Sequence, residues 1–591
     1  QVFGEEYIDQ IATHHGSLSR TTRLEVEDLL KQGRLKAVIT STSLELGIDI
    51  GYIDLVVQIG SPKSVAKGLQ RVGRAGHFLH EVSKGRLIVF DRDDLIECTV
   101  LVKTAYEGKI DRVQIPKNCL DVLAQHLVGM SVNRKWKVDE AYKLVKRSYC
   151  YHNLSKKDFL EVLRYLGGYY VHLEDRGVYR KLWYDEEEGV FGRKRAARMI
   201  YFMNIGTIPD EADFRVILED QRTTIGMISE KFLERLIPGD IFVLGGKTYQ
   251  YLRTKGNKVI VRSAYGRRPT VPQWVGEMLP RSFDLSIEVG KFRELIAEKL
   301  KQFPVEEVKE WLKKEYYLDE AAANSIVQYF IEQLTYAGKI ASHRKIILEE
   351  FFDERGRQNI VFHAPFGRRT NDALSRAYAY QVSKLVNANV GTTITDDGFM
   401  LILPYGKVVD IREIPPLVTS KNLIEILKRA IRNTELFRRR FQHVATRSFM
   451  ILRKYKGHEI SLSKQQFRAS KILDLIADWE DFPIIKETYR EILEDVFDVE
   501  NAKKVLQWVE EGKTTFDFLP AMEIPSPFAH GTILVGISDI VMMEDRQALL
   551  KELHQKILEK IQETSPTIVI ERKTPETLPE SIVLELLKER R

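Results

Sequence analysis

The chain has 591 residues, of which 44% are hydrophobic and 29% charged, with a net charge of +6. Single hydrophobic cores stop growing at roughly 250 to 300 residues, so several domains are expected, and no apolar run approaches the ~20 residues that a helical membrane span requires. Cys98, Cys119 and Cys150 are odd in number and too far apart for a CxxC pair, which excludes a disulfide framework and a cysteine zinc site and fits the reduced thiols of a cytoplasmic protein.

The weakly basic balance means that any nucleic-acid binding must come from local stripes and not from bulk charge. The chain begins at Gln1, with no secretory or transit pattern, and a preceding segment is expected.

Residues 1–112 alternate short apolar runs with amphipathic helices. Ile8 to Thr13, Leu35 to Ile39, Ile53 to Ile59 and Arg86 to Phe90 read as buried strands. Helices are expected over Arg20 to Gln32, ended by Gly33, and near Ser64 to Val72. This alternation predicts a parallel, three-layer α/β domain, short for its class and so incomplete.

Residues 113–195 predict a winged helix: helices over Asn118 to Val132 and Val138 to Tyr149, a third opened by the capping box Ser155-Lys156-Lys157-Asp158, then strands around Tyr170 and Val178. Period-two patterns at 196–287 predict a small antiparallel sheet or barrel. A helical module (288–340), an α+β module (341–418), a mainly helical module (419–565) and a tail (566–591) follow. The expected class is multidomain α/β plus α+β.

Two segments imitate nucleotide chemistry. Gly246-Lys247-Thr248 resembles the end of a phosphate loop, but Ile241 stands where its first glycine should be, and two strand patterns flank it. A phosphate loop must open a helix so that amides converge on the phosphates, so a hairpin turn is the better reading. Asp319-Glu320-Ala321-Ala322 imitates an acidic magnesium box but starts a helical pattern. No Walker-type site is expected within the chain, nor a metal site; His363, His443 and His530 lack ligand spacing and are read as structural.

Gln70-Arg71-Val72-Gly73-Arg74-Ala75-Gly76-His77 is of another kind. Phosphoryl transfer needs cations aimed at charge developing on the transferred group, and an arginine supplied from a neighbouring surface is worth roughly 10³ to 10⁵ in rate. On one helix Arg71 and Arg74 share a face, and the glycines allow a partner to approach. A bare RxxR is usually only a solvated helix end.

The surrounding runs decide between these readings. HHGSLS, SLELGIDIG and QIGSPKSVAKGLQRVGRAGH resemble the second RecA-like domain of superfamily 2 helicases, and more narrowly the Lhr (large helicase-related) family. LDVLAQHLVGM, LIPGDIFVLGGKTYQ, PQWVGEMLPRS, FPIIKETYREILEDVFD and PSPFAHG extend the resemblance over about residues 1 to 560.

It implies that Gly47 and Asp49 approach the ribose of ATP, that Gln70, Arg71 and Arg74 face its phosphates with Arg74 as arginine finger, and that His15, Gly16, Ser17, Ser41 and Ser43 touch the backbone of the tracked strand. Ser41 replaces the threonine of many relatives, which keeps the hydroxyl. The resemblance further implies ATP and Mg2+ bound mainly by a first RecA-like domain outside this chain. It also implies 3′ to 5′ translocation on single-stranded DNA or RNA, unwinding of DNA or RNA:DNA hybrids, repair or RNA-processing partners, and a cytoplasmic, nucleoid-associated location. Half a nucleotide cleft should not hydrolyse ATP by itself.

Two downstream stretches suit nucleic acid. Trp274, flanked by Arg267, Arg268 and Arg281, can stack on a base. Between Leu427 and Gly457 ten Lys or Arg face the single Glu435, and Arg438-Arg439-Arg440 form their centre; such a run is either a solvated face or an exit path for the strand. The alternatives to a motor are an ATP-independent binding or annealing scaffold and a protein-interaction platform.

Overall fold

The computed structural model describes residues 10–15, 20–45, 53–76, 82–174, 177–208, 213–219, 224–234, 236, 238–244, 247–255, 258–265, 267, 279–537 and 552–561. Gly16, Ser17, Gly47, Asp49, Arg268 and Trp274 lie outside these described residues.

Strand β1 (Ile11–His14) pairs parallel with β2 (Ala37–Thr40) across helix α1 (Arg20–Lys31). Strand β3 (Val56–Ile59) pairs parallel with β4 (Gly85–Ile88) across α2 (Val65–Val72), and α3 (Arg92–Tyr106) follows. These are the strand–helix–strand units expected from the alternation, but the strands are not buried throughout. Leu30 and Leu44 close a small core with Leu35, Val38 and Ile53, while Ile39, Val57, Ile59 and Ile88 are exposed. Successive strand residues face opposite sides, so a continuous apolar run can have one face packed and the other open.

The next unit contains α4 (Leu120–Asn133), β5 (Trp136–Lys137), α5 (Val138–Val145), α6 (Lys156–Gly167), the single turn α7 (Val171–Glu174), β6 (Leu182–Asp185) and β7 (Val190–Arg193). Its sheet has the order β5-β7-β6. Ser155 accepts from the Asp158 amide to cap α6, and Gly168 ends the helix at φ +81°. Strands do not form around Tyr170 and Val178. Leu173 and Val178 reach the core from a turn, and the hairpin lies further on, across Glu186-Glu187-Glu188-Gly189.

Helix α8 (Ala197–Asn204) leads to β8 (Asp213–Leu218), β9 (Thr224–Ser229), the turn α9 (Glu230–Leu233), β10 (Ile241–Leu244), β11 (Lys247–Lys255) and β12 (Lys258–Ser263). The order is β10-β11-β12-β8-β9, antiparallel except for the parallel pair β12 and β8. Leu244 pairs with Lys247 across a hairpin, so the segment that imitates a phosphate loop opens no helix. Helices α10 (Phe283–Gln302), α11 (Val305–Tyr316) and α12 (Glu320–Ala337) come next. Asp319 caps α12 through the Ala322 amide, a structural role.

The remainder comprises β13 (Lys345–Phe352), β14 (Gln358–His363), α13 (Arg368–Val386), β15 (Gly391–Ile394), β16 (Gly398–Ile402), α14 (Leu423–Ile431), α15 (Glu435–Arg447), β17 (Lys454–Tyr455), β18 (His458–Glu459), α16 (Leu462–Ile476), α17 (Pro483–Arg490), α18 (Val499–Glu510), β19 (Thr515–Phe518) and α19 (His530–Ile537). The sheet order β15-β16-β14-β13-β19 crosses the boundary drawn at 418/419, because β19 pairs parallel with β13. One apolar core runs from Leu120 in α4 through Phe362 and Phe437 to Leu506 in α18. A second joins Val65 and Ile96 to Val289, Phe330 and Phe528. Sequence-local patterning marks helices well but does not reveal that neighbouring units share a core.

Glu349 on β13 is fully buried, accepts from the Ser526 amide and hydroxyl (both 2.6 Å), and lies 2.7 Å from His363 Nε2, so it anchors the PSPFAHG loop. Burial would raise its pKa, yet the hydrogen bond and charge of His363, with Ser526, hold it below the ordinary carboxylate value. A depressed carboxylate stabilises the fold above its unfolded pKa, about 4.3, and that contribution is lost as pH falls through the folded value. Glu349→Gln should therefore lower the urea midpoint at pH 7, and its difference from the unsubstituted protein should shrink below pH about 4. A difference that stays constant from pH 7 to pH 3 would refute this linkage.

Candidate nucleotide and nucleic-acid site

The short turn Thr42–Leu44 after β2 brings Glu45 toward α2, because Leu44 is pinned in the small core. Ser64 caps α2 at the Lys67 amide, and Gly68 meets Leu101 and Pro62 so closely that a Cβ there would sit 3.3 Å from each. The helix therefore packs on α3, with its C-terminal end reaching Glu45.

The two arginines then separate. Arg71 Nε and Nη2 lie 2.9 Å from Glu45 Oε2, and Nη1 donates to Gln58 Oε1 at 2.9 Å. This guanidinium ties the loop and β3 to the helix. Arg74 lies two residues beyond the last helical residue, since α2 ends at Val72. It stands in a tight turn whose amides bond back, Arg74 to the Arg71 carbonyl and Ala75 to that of Val72, and Gly76 bonds to Ile53. Gly76 has φ +72°, and a Cβ there would lie 3.2 to 3.3 Å from the Val82–Ser83 backbone, so this position requires glycine. Gln70 is exposed beside the turn and Arg74 is half-buried.

The strand-contacting residues also sort themselves. Ser43 Oγ donates to the His14 carbonyl at 2.9 Å and lies 2.7 Å from His14 Nδ1 and 3.2 Å from Thr40 Oγ1. A serine hydroxyl has one proton, so this one is committed inside the fold rather than aimed at a phosphate. Ser41 is exposed and His15 half-exposed. His14, Glu27, Glu45 and Gln58 went unassigned in the sequence reading. His14 is buried, with Nε2 3.1 Å from Glu27, and links β1, α1 and the turn after β2. The inward phase of β1 could have identified it; nothing local could have paired Glu45 with Arg71.

Downstream, Arg267 is exposed. Arg281 is not a surface cation: its side chain has 0% exposure and bonds Glu97, Asp397, Ser286 and the Asp396 carbonyl. The Arg438-Arg439-Arg440 run is also no continuous stripe. Arg438 is 54% exposed and pairs with Glu435. Arg439 is buried over the Phe214 ring (4.3 Å to its centroid) and pairs with Glu435, while Arg440 pairs with Glu234 and Glu491. Consecutive helical residues point about 100° apart, so three adjacent arginines cannot share one face.

Among the described residues the carboxylates that converge as metal ligands do are Asp121, Glu487 and Glu491, and cations already occupy them: Arg447 bonds Asp121 and Glu491, and Arg490 bonds Glu487.

Comparison with known proteins matches this architecture. Residues 3–78 match the helicase conserved C-terminal domain, 103–271 the winged helix domain of large helicase-related proteins, and 340–529 the DEAD/H associated family. The ATP-dependent helicase Lhr-Core protein 2 of Thermococcus barophilus is 52% identical over 94% of this chain, and Lhr-Core of Saccharolobus solfataricus 46% over 95%. The chain belongs to the Lhr family.

It spans 64% and 65% of the length of those two relatives. Lhr of Mycobacterium smegmatis, solved bound to ssDNA and AMP-PNP, superposes with a TM-score of 0.70 and 29% identity over 88% of this chain and 62% of its own. The Lhr winged-helix match extends through β12 and so covers both the unit of α4 to β7 and the small β unit. No helix of the described residues is long and apolar enough to cross a membrane.

Proposed function

We propose that this chain supplies the arginine half of the nucleotide site, and the strand-handling modules, of an ATP-dependent Lhr-type helicase that moves 3′ to 5′ on single-stranded DNA or RNA and opens DNA or RNA:DNA duplexes. The observation that carries this reading is the geometry at the end of α2: Arg74 stands on a turn closed by backbone bonds just beyond the helix, beside exposed Gln70, where both could meet a nucleotide held by a second domain, while Arg71 braces that turn through Glu45 and Gln58. Cationic and amide donors suit a triphosphate.

Magnesium would be held elsewhere, because the carboxylate cluster among the described residues is already filled by arginines. When bound, Mg2+ would neutralise phosphate charge; Arg74 would add a donor to the transferred group, and Gln70 would orient it. Ser41 and His15 are the candidates for the backbone of the tracked strand, with Ser43 and His14 shaping the turn that presents them. Hydroxyl and imidazole donors to phosphate carry no base preference.

The 591-residue chain alone should bind single-stranded DNA, RNA and hybrid with affinity that falls steeply as salt rises, and should not turn over ATP. Filter binding across a salt series, with an ATPase assay on the same preparation, tests both. Turnover by the isolated chain that Arg74→Ala abolishes would overturn the divided site, and salt-independent binding would favour a protein-interaction platform.

A further inference from the structure

Where α2 meets the rest of the molecule, a buried ionic hub joins three distant parts of the chain. Lys63, immediately before the α2 cap, holds a left-handed backbone at φ +65°, a conformation unfavourable to a non-glycine residue. Its ammonium lies 2.9 Å from Asp94, 3.0 Å from Glu97 and 3.5 Å from Asp396. The Lys63 carbonyl accepts from the Ser282 amide at 3.1 Å, next to Arg281. Arg281 in turn reaches Glu97 (3.2 Å) and Asp397 (2.8 Å), its amide bonds Asp396 Oδ1, and Arg293 shares Asp397 at 2.8 Å.

Asp111 closes the arrangement by accepting from Ser64, the Ala66 amide and Ser282. Gly367 packs against it: a Cβ there would lie 2.8 Å from the Arg281 carbonyl.

Buried ion pairs add little net stability compared with apolar packing, yet they are directional and penalise any altered arrangement. Here the direction is between elements: the start of α2, the start of α10 and the loop joining β15 to β16. The apolar core that unites Val65 and Ile96 with Val289 and Phe330 lies beside the hub, so α2, α3 and α10 to α12 are packed into one core. An eight-residue helix is about 12 Å long, so a tilt at Lys63 displaces Arg74 at its other end.

We infer that Lys63 and Arg281 are positioning residues that lock the helix leading to Arg74 onto the C-terminal module, so that motion driven at the nucleotide site is delivered to that module as mechanical work on the duplex. This rests on the helicase reading above. It assigns the hub to transmission and not to hydrolysis.

The test uses the full-length protein with a first motor domain, measuring single-strand-stimulated ATP turnover and duplex opening together. Arg281→Gln should leave turnover within about threefold and reduce base pairs opened per ATP by about tenfold. Arg281→Lys, which keeps the charge but loses the fork spanning Glu97 and Asp397, should fall between. If Arg281→Gln does not fold, Lys63→Met, at a side chain still 16% exposed, carries the same expectation. Proportional loss of both activities, or no change in their ratio, overturns the inference. An unsubstituted protein that hydrolyses ATP without opening duplexes, or does neither, overturns the helicase reading and this inference with it.

Discussion

In full-length protein, Arg74→Ala lowers strand-stimulated ATP turnover by about 10³-fold or more, with single-strand binding retained. The expectation follows from where the guanidinium stands. Arg74 sits beyond the end of α2, on a turn closed by three backbone hydrogen bonds and by the left-handed Gly76. Such a turn presents a donor without reorganisation, which is what makes an electrostatic contribution large at the moment of reaction.

Arg71→Ala should also impair turnover, but by another route. Its partner Glu45 is only 11% exposed, and removing the arginine leaves that carboxylate and Gln58 without their donor, a loss of about 1 to 3 kcal/mol. Thermal unfolding alongside kcat therefore separates the two: loss of turnover that tracks a lowered midpoint for Arg71→Ala, and loss of turnover far beyond any change in midpoint for Arg74→Ala. Turnover within tenfold of normal in Arg74→Ala would remove the arginine-finger assignment.

What the sequence made legible here depended on how local each signal was. The capping box at Ser155 and the helix start at Asp319 each rest on a few adjacent residues, and each stands where the pattern put it. The phosphate-facing role proposed for QRVGRAGH rests on adjacent residues too. Unreadable were the partners contributed from afar: Glu45 for Arg71, Asp397 for Arg281, β19 for β13.

Arg281 is the instructive case. Between Pro280 and Ser282, near Trp274, it reads as one more cation of a basic surface, whereas the carboxylates of Glu97 and Asp397, the Ser286 hydroxyl and the Asp396 carbonyl draw it fully inside. An isolated arginine carries no mark of whether it will be solvated or paired. Only the positions of distant carboxylates decide.

The same distinction governs the basic stretch of α15, where the largest stability effect is expected. Arg447 lies under α4 and α17, 2.5 Å from Asp121, and bonds Glu491 as well; Asp121 is 1% and Glu491 8% exposed. Burial pushes the Asp121 carboxyl up, and burial with repulsion from Asp121 pushes Glu487 up to about 8. Carboxyls raised in this way favour the folded state while protonated, so their contribution is full below the unfolded values near 4 and is lost as pH rises through the folded values, for Glu487 about 8.

Arg447→Met strands two buried carboxylates and should cost about 3 to 5 kcal/mol at pH 7.5, read as a fall in urea midpoint. At pH 5 the deficit should shrink, because the stranded Asp121 carboxyl, already pushed up by burial, can take up a proton. Adding Asp121→Asn and Glu491→Gln should recover most of the loss, since breaking a buried pair is costly where replacing all its charges is not. Arg438→Ala, at an exposed side chain, should leave the midpoint within about 0.5 kcal/mol and is the substitution in this run that can report on nucleic acid. An Arg447→Met midpoint equal to the unsubstituted protein's would mean that Asp121 and Glu491 are not held as ions, and the ionic account of this interface would fall.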